Sequence, residues 1–486
     1  MTCASALLVD LYELTMAQAW LRAGRADDEA VFVLSFRSQP FGGGYAVACG
    51  LADAIERLRA WRLESDELAY LEGLTSPDGG SLFDRHFLRW LSELHLSLDV
   101  DAIPEGTAVF AFEPLLRVRG PVAQGQLVET TLLNAINYAT LAASKAARVC
   151  VAAAGEPVLE FGVRRAQGPD GALTASRAAF VGGCAATSNV LAGRRFGIPV
   201  RGTHAHSWVM AFDNEREAFR RYAEAMPHNT VFLVDTYDTV EGVRAAIDVG
   251  REMRARGQRL GGIRLDSGDL AWLSVQARRL LDEAGFTDAV VVASNDLDEF
   301  LVESLKHQGA RIGMWGVGTR LVTCGGQGAL DGVYKLTAVR TRGGPWRHRV
   351  KLSEQAGKIS VPGLQQVRRF RDPAAGLFVA DAIFDEEHPP SGEVTIVDPL
   401  DPTRHKRLGV DLASEDLLRP IFRAGWPVYE APAAASARAR TLEQLAALPP
   451  WCKRLQNPHS YPVGLEIGLA GLRTRLILDE RAHLAP

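Results

Sequence analysis

The chain has 486 residues, 47% of them hydrophobic and 23% charged, the balance of an ordinary globular protein long enough for two or three domains. Its formal charge of −4 gives no basis for nucleic-acid binding, although a local basic pocket for a small anion remains compatible with it. The cysteines Cys3, Cys49, Cys150, Cys184, Cys324 and Cys452 form no Cys-x-x-Cys pair, so neither a zinc cluster nor a redox dithiol is encoded and reduced, cytoplasmic thiols are expected.

The N-terminal segment has no basic leader and carries Asp10 and Glu13 inside its apolar run, which argues against a signal peptide. No uninterrupted apolar stretch of transmembrane length follows, so no membrane association is expected. The first third reads as an amphipathic helix over residues 7–20, a strand over 31–36, and a glycine-marked turn over 40–45. A further strand signal lies within 108–120, and an alanine-rich helix follows over 129–155.

In the middle of the chain, short apolar runs end in polar clusters. These are TVFLVDTYD from Thr230, GGIRLDSGD from Gly261, AVVVASND from Ala289 and RIGMWGVGT from Arg311. Each run reads as a strand buried on both faces. Between the second and third, Leu270, Leu273, Ala277, Leu280, Leu281 and Ala284 keep to one helical face, and Gly285 supplies a stop. Asp296 and Glu299 have the spacing of a capping box for the next helix. Repeating strand-helix units predict a parallel α/β domain. A TIM-like β/α barrel fits better than an open sheet, because polar clusters recur at successive strand ends, where function should sit. After about Leu330 the pattern changes to strand-like pieces among Pro- and Gly-rich loops.

Several clusters can carry chemistry. Arg264, Asp266, Ser267 and Asp269 close one strand; together they suit an anionic substrate and a sugar diol or hydrated magnesium. The plainer alternative is helix capping by Ser267 or Asp269 with a structural Arg-Asp pair. Gly316, Gly318 and Thr319 end a later strand, and the two glycines let backbone amides approach a phosphate; Gly-x-Gly turns are also common without any ligand. Arg164 and Arg165 can neutralise a polyphosphate or simply face solvent. His204 and His206 stand in RGTHAHSWVM, where either could be a base, a metal ligand or a nucleophile, while a lone internal histidine is usually structural. The chain has no His-Glu-x-x-His, Gly-x-Ser-x-Gly or Walker A pattern, which removes zinc-hydrolase, serine-hydrolase and P-loop readings.

Taken together, LLVDLYELTMAQAW, FRSQPFGGGYAVACGL, EFGVRRAQG, GTHAHSWVM, IRLDSGDL, ASNDLDE, GVGT and KLSEQAGKISVPGLQQVRR closely resemble nicotinate phosphoribosyltransferases, which are type II phosphoribosyltransferases. The resemblance implies an irregular β/α barrel over 129–335. Residues 1–128 and 336–486 would form a flanking α+β, β-rich part, and the protein would be a homodimer with active sites near the subunit interface. It implies transfer of phosphoribosyl from phosphoribosyl diphosphate to nicotinate, coupled to ATP through a phosphorylated histidine and serving NAD biosynthesis. By the family motif that histidine is His206, with His204 in the variable position. Tyr12, Thr203 and Arg264 match nicotinate-binding positions, and Thr319 matches a donor-binding one.

The chemistry agrees. Displacing diphosphate builds positive charge on the ribose and negative charge on the leaving group. Asp266 and Asp269 suit the first, and Arg164 or Arg165 with Mg2+ the second; no metal ligand set can be assigned. The pyridine nitrogen is itself the nucleophile, which leaves a histidine free to accept a phosphoryl group. Alternatives are a phosphoribosyltransferase for nicotinamide or another pyridine, and a non-catalytic nucleotide-binding protein on the same scaffold. A phosphate-binding aldolase barrel is disfavoured because no lysine ends the four strands.

Overall fold

The computed structural model describes residues 5–484, so Cys3 lies outside it. The fold is mixed α/β, and the chain divides into two compact units. One takes the chain up to Leu141 together with Ala329–Pro432 and the stretch from Arg440; the other takes Ala142–Gly328 with Ala433–Ala439.

In the first unit the apolar run AVFVLSF lies in the strand Glu29–Phe36, which is buried along nearly its whole length. Such a run needs a neighbour on each side. Gly332–Arg340 pairs with one edge and Leu116–Pro121 with the other, both antiparallel. Pairing between an early and a late strand is what brings the two ends of the sequence into one unit. The sheet has seven strands and includes Asp99–Ala102 and Arg419–Arg423. Phe32 stacks on Tyr334 across it with ring centroids 5.0 Å apart. The expected strand within 108–120 is split into Ala108–Val109 and Leu116–Pro121, with Phe112 between them at a positive φ of 72° that no strand accommodates. A second, six-stranded sheet contains Gln365–Arg371 and Phe378–Asp385. Fully buried Arg369 spans these strands to reach Asp381 at 2.5 Å.

In the second unit six strands run parallel, in the order Ala186–Thr187, Val158–Glu160, Met314–Val317, Val290–Ala293, Gly262–Leu265, Val231–Leu233. They make a half-barrel; a closed ring of strands is not formed among the described residues. All four apolar runs from the middle of the sequence are strands of this sheet. The helix Leu270–Glu283 follows its strand, with Gly285 in a left-handed conformation (φ 75°) just beyond its end.

The helix Glu299–His307 begins differently from the capping-box expectation. Asp298, not Asp296, is its N-cap, accepting from the Phe300 and Leu301 amides at 3.1 and 2.9 Å. Glu299 turns inward, where Lys145 and Arg148 hold it at 2.5 and 2.9 Å. Asp296 instead pairs with Arg320, whose Nε donates to its Oδ2 at 3.3 Å. Asp298→Ala is therefore expected to lower unfolding free energy by about 1 kcal/mol. Asp296→Ala should stay within roughly 0.5 kcal/mol of the parent. Paired denaturant titrations check the difference.

Candidate active site

Parallel strands place all their C-terminal ends on one edge, so residues far apart in sequence are collected there. A cavity of about 460 Å3 opens at this edge. Its wall includes Phe161, Arg164, Arg165, Ser188, Thr203, Arg264, Asp266, Ser294, Asp296, Gly316, Gly318 and Thr319. Between the two edge strands runs the segment 200–204. Val200 bridges to Thr187, Gly202 O accepts from Asn229 Nδ2 at 3.1 Å, and His204 Nε2 accepts from the Leu233 amide at 3.2 Å. A larger cavity of about 850 Å3 shares Phe161, Gly202 and Thr203 with the first and is lined by Val290, Val292 and Met314. The inside of the half-barrel is thus not filled by side chains as a closed barrel core would be.

Arg264 dominates the floor of the smaller cavity. Its Nη1 donates to Thr203 Oγ1 at 2.5 Å, and Asp266 stands 3.9 Å from Nη2. Its Nε is buried without a hydrogen-bond partner. Burial lowers the guanidinium pKa, with Asp266 and Asp235 opposing the shift. A buried cation with an unused donor is costly unless an anion completes it. The Arg264–Asp266 pair is long for a structural ion pair, so the guanidinium has no close carboxylate partner among the described residues.

Around Arg264 the polar strand ends hold one another. Asp235 Oδ2 accepts from the Asp266 amide and from Ser267 Oγ, both at 2.7 Å, and Ser294 Oγ donates to Asp266 Oδ1 at 2.5 Å. Asn295 lines the cavity with φ 118°, a conformation rare outside glycine and typical of strain held at functional sites. A Cβ on Gly316 would lie 2.7 Å from the Phe161 ring, and one on Gly318 would lie 3.2 Å from Phe161 O, so both glycines permit a close backbone approach. Arg164 and Arg165 are exposed at the rim. Among the described residues no carboxylate pairs with either.

The two histidines have different environments. His204 is 8% exposed, and its ring packs among Phe219, Tyr222 and Phe232. Burial pushes its pKa down to about 4, so near neutrality it is uncharged and accepts the Leu233 hydrogen bond. His206 opens the short helix His206–Met210 with its side chain 39% exposed. Its Nδ1 lies 3.1 Å from Thr236 Oγ1 and its Nε2 lies 3.8 Å from Asp266 Oδ2.

Thus Thr203, His204, Arg264, Asp266, Arg164, Arg165, Gly316, Gly318 and Thr319 meet at one cavity; His206 is not part of its wall but stands beside Asp266, with Nε2 3.8 Å from Oδ2. Asp269 does not join them: it caps the helix Leu270–Glu283, accepting from the Trp272 amide at 3.0 Å, and is absent from the cavity wall. Tyr12 belongs to the other unit, on the helix Leu11–Arg22, where burial and then Glu129 raise its pKa. Asp235, Thr236, Ser188 and Ser294 were not singled out from the sequence. The signal for Asp235, Thr236 and Ser294 was the polar cluster after an apolar run; Ser188 follows the two-residue strand Ala186–Thr187, which leaves no such run.

Three family models match the chain. They are described as the nicotinate phosphoribosyltransferase N-terminal domain over residues 7–137, the nicotinate phosphoribosyltransferase (NAPRTase) family over 157–344, and the C-terminal domain over 364–473. A nicotinate phosphoribosyltransferase of Bacillus subtilis (strain 168) is 42% identical over 464 residues, covering 94% of this chain and 92% of the relative. One of Homo sapiens is 36% identical over 523 residues, covering 96% and 95%. The crystal structure of human nicotinic acid phosphoribosyltransferase superposes with a TM-score of 0.83 at 34% identity, covering 96% of this chain and 99% of that one. A nicotinate-nucleotide pyrophosphorylase from Pyrococcus furiosus, 22% identical with a TM-score of 0.69, shares the fold.

The depressed His204 pKa has a consequence for stability. The unfolded chain takes up a proton near pH 6.5 whereas the folded one resists until about pH 4, so stability is full above pH 6.5 and is lost as pH falls through that window. The loss attributable to this residue should approach about 3 kcal/mol. His204→Gln, which keeps an acceptor for Leu233 but does not titrate, should remove that component. Unfolding free energies measured at pH 7 and pH 4.5 for both proteins test it; an identical pH dependence would refute the assignment.

Proposed function

The chain belongs to the nicotinate phosphoribosyltransferase family, and from that premise we propose that it transfers phosphoribosyl from phosphoribosyl diphosphate to nicotinate, coupled to ATP through phosphorylation of His206. The observation that carries the reading is Arg264, a largely buried guanidinium in the cavity wall beside Thr203, whose carboxylate neighbour Asp266 stands no closer than 3.9 Å. The nicotinate carboxylate completes its hydrogen bonds; a nicotinamide amide supplies one acceptor and no charge. Tyr12 is proposed as a further nicotinate contact on family grounds alone, and a homodimeric, cytoplasmic enzyme of NAD biosynthesis is proposed on the same grounds.

At the donor, the backbone of Gly316 and Gly318 and the Thr319 hydroxyl meet phosphate oxygens, and the unpaired Arg164 and Arg165 take the diphosphate. As the bond from the ribose anomeric carbon to diphosphate oxygen lengthens, Asp266 offsets positive charge on the sugar. The pyridine nitrogen lone pair then forms the new bond, and no proton need be removed. Among the described residues no three His, Cys, Asp or Glu side chains cluster to cage a metal. Asp266 and Asp296 are the wall carboxylates that would share Mg2+ with the diphosphate, where the ion would neutralise charge on the leaving group.

His206 is the more exposed imidazole; His204 also lines the cavity, but its ring packs among Phe219, Tyr222 and Phe232 and its Nε2 is taken by the Leu233 amide. Asp266 near His206 Nε2 favours a proton there, leaving the Nδ1 lone pair to attack the γ-phosphorus of ATP as the bond to ADP breaks. The phosphoryl group then adds charge next to Asp266 and alters how the site holds its donor.

Two outcomes are expected. Arg264→Ala should lose roughly 2 to 5 kcal/mol of nicotinate recognition, read as a fall of orders of magnitude in kcat/KM and a collapse of discrimination against nicotinamide. Unaltered discrimination would refute the role. His206→Ala should lose the acid-labile protein phosphate formed from γ-labelled ATP, while His204→Gln retains it; the reverse pattern would reassign the nucleophile.

A further inference from the structure

Four residues before Arg164 stands Glu160, a carboxylate with no exposure to solvent. No cation pairs with it among the described residues. Instead three donors converge on it. The Gly162 amide donates to Oε1, while Ser176 Oγ and Thr187 Oγ1 donate to Oε2 at 2.8 and 2.5 Å. Asn189 stands behind these hydroxyls, its amide donating to Thr187 Oγ1 at 2.9 Å and its Nδ2 to Ser176 Oγ at 3.1 Å. With a lone pair engaged by the Asn189 amide, the Thr187 hydroxyl turns its hydrogen toward Glu160. The single hydrogen of Ser176 is shared between Glu160 and Ala172 O, which lies 2.9 Å from Oγ, so the Gly162 amide and Thr187 are the donors committed to the buried anion.

A core with only packing to satisfy would place an apolar side chain here, since burying a carboxylate is costly even when it is hydrogen-bonded. What the charge holds is the Gly162 backbone. A Cβ at Gly162 would come within 2.3 Å of Val322 Cγ1 and 2.9 Å of Gly318 O, so this residue is clamped between Glu160 and the turn that ends in Thr319. Gly162 O accepts from the Arg165 amide at 2.7 Å, which starts the turn Val163–Arg165 and presents Arg164 and Arg165 at the cavity rim. The main chain ties in a third element, for Glu160 O accepts from the Ser188 amide at 2.9 Å and Ser188 lines the same cavity.

We infer that Glu160 is a positioning residue for the donor's diphosphate: it touches no substrate, but sets the distance between the arginine turn and the Gly318 turn so that both can reach the same phosphates. The inference rests on the proposed reading of the cavity, in which Arg164 and Arg165 take the diphosphate. It assigns the buried network of Glu160, Ser176, Thr187 and Asn189 to donor affinity and not to nicotinate recognition.

The test compares Glu160→Gln, Thr187→Val, Thr187→Ser and the double variant Arg164→Ala/Arg165→Ala, measuring KM for each substrate, kcat and melting temperature. Glu160→Gln, with one weaker acceptor in place of two, is expected to raise the KM for phosphoribosyl diphosphate roughly tenfold while the nicotinate KM stays within about twofold. Thr187→Val should move the same constant in the same direction, and Thr187→Ser, which restores the hydroxyl, should return it to the parent value. If Glu160→Gln does not fold, the Thr187 pair carries the test alone. A drop in melting temperature with both KM values unchanged, or a uniform loss in every constant, would make the network merely structural and overturn the inference. Should the double arginine variant keep a normal donor KM, the reading of the cavity itself fails; if that variant is impaired while Glu160→Gln and Thr187→Val are not, the cavity reading stands and the positioning role falls.

Discussion

Parallel strand register is the constraint on which the site depends. Val290 pairs with Gly262, Ala293 with Leu265, and Trp315 with Val158, so the parallel strands direct their C-terminal ends to one edge of the sheet. Residues from Phe161 to Thr319 in sequence are thereby delivered to one cavity. The consequence is electrostatic as much as geometric. One largely buried cation, an exposed arginine pair and two carboxylates line the same cavity, and burial among apolar strands strengthens the interactions of Arg264 relative to water.

The strand ends do not rely on loop stiffness alone. Asp235 uses a single carboxylate oxygen to hold the Asp266 amide and the Ser267 hydroxyl, linking two adjacent strands. His204, neutral and enclosed, ties the crossing segment to the Leu233 amide and so fixes the position of its neighbour Thr203, which in turn binds Arg264. A chain of polar contacts therefore runs from an aromatic cluster to the guanidinium, and each link is a side chain that the chemistry itself does not consume.

The four central strands and their helices were legible from the sequence because a strand buried on both faces leaves an uninterrupted apolar run. The residues that carry the site were legible because polar groups must follow such runs if they are to reach solvent. Other features were not. Asp296 and Asp298 both precede a helix with plausible capping geometry, and only the three-dimensional path of the turn decides that Asp298 receives the amides. Asp269 has the composition of a ligand-binding residue but meets the Trp272 amide. The difference between His204 and His206 depends on Phe219, Tyr222 and Phe232, which lie well beyond the motif. The repeat predicted a ring of strands, whereas short edge strands and the extended segment 200–204 leave a half-barrel.

The central claim is that the Arg264 guanidinium, which has no close carboxylate of the chain, pairs with the carboxylate of nicotinate. A crystal structure of the protein with nicotinate bound tests it most directly. The account places the carboxylate within hydrogen-bond distance of the Arg264 guanidinium, next to Thr203, with the ring nitrogen turned toward the Asp266 side of the cavity. Nicotinate bound with its carboxylate in solvent or on Arg164 and Arg165, away from the Arg264 guanidinium, would contradict it.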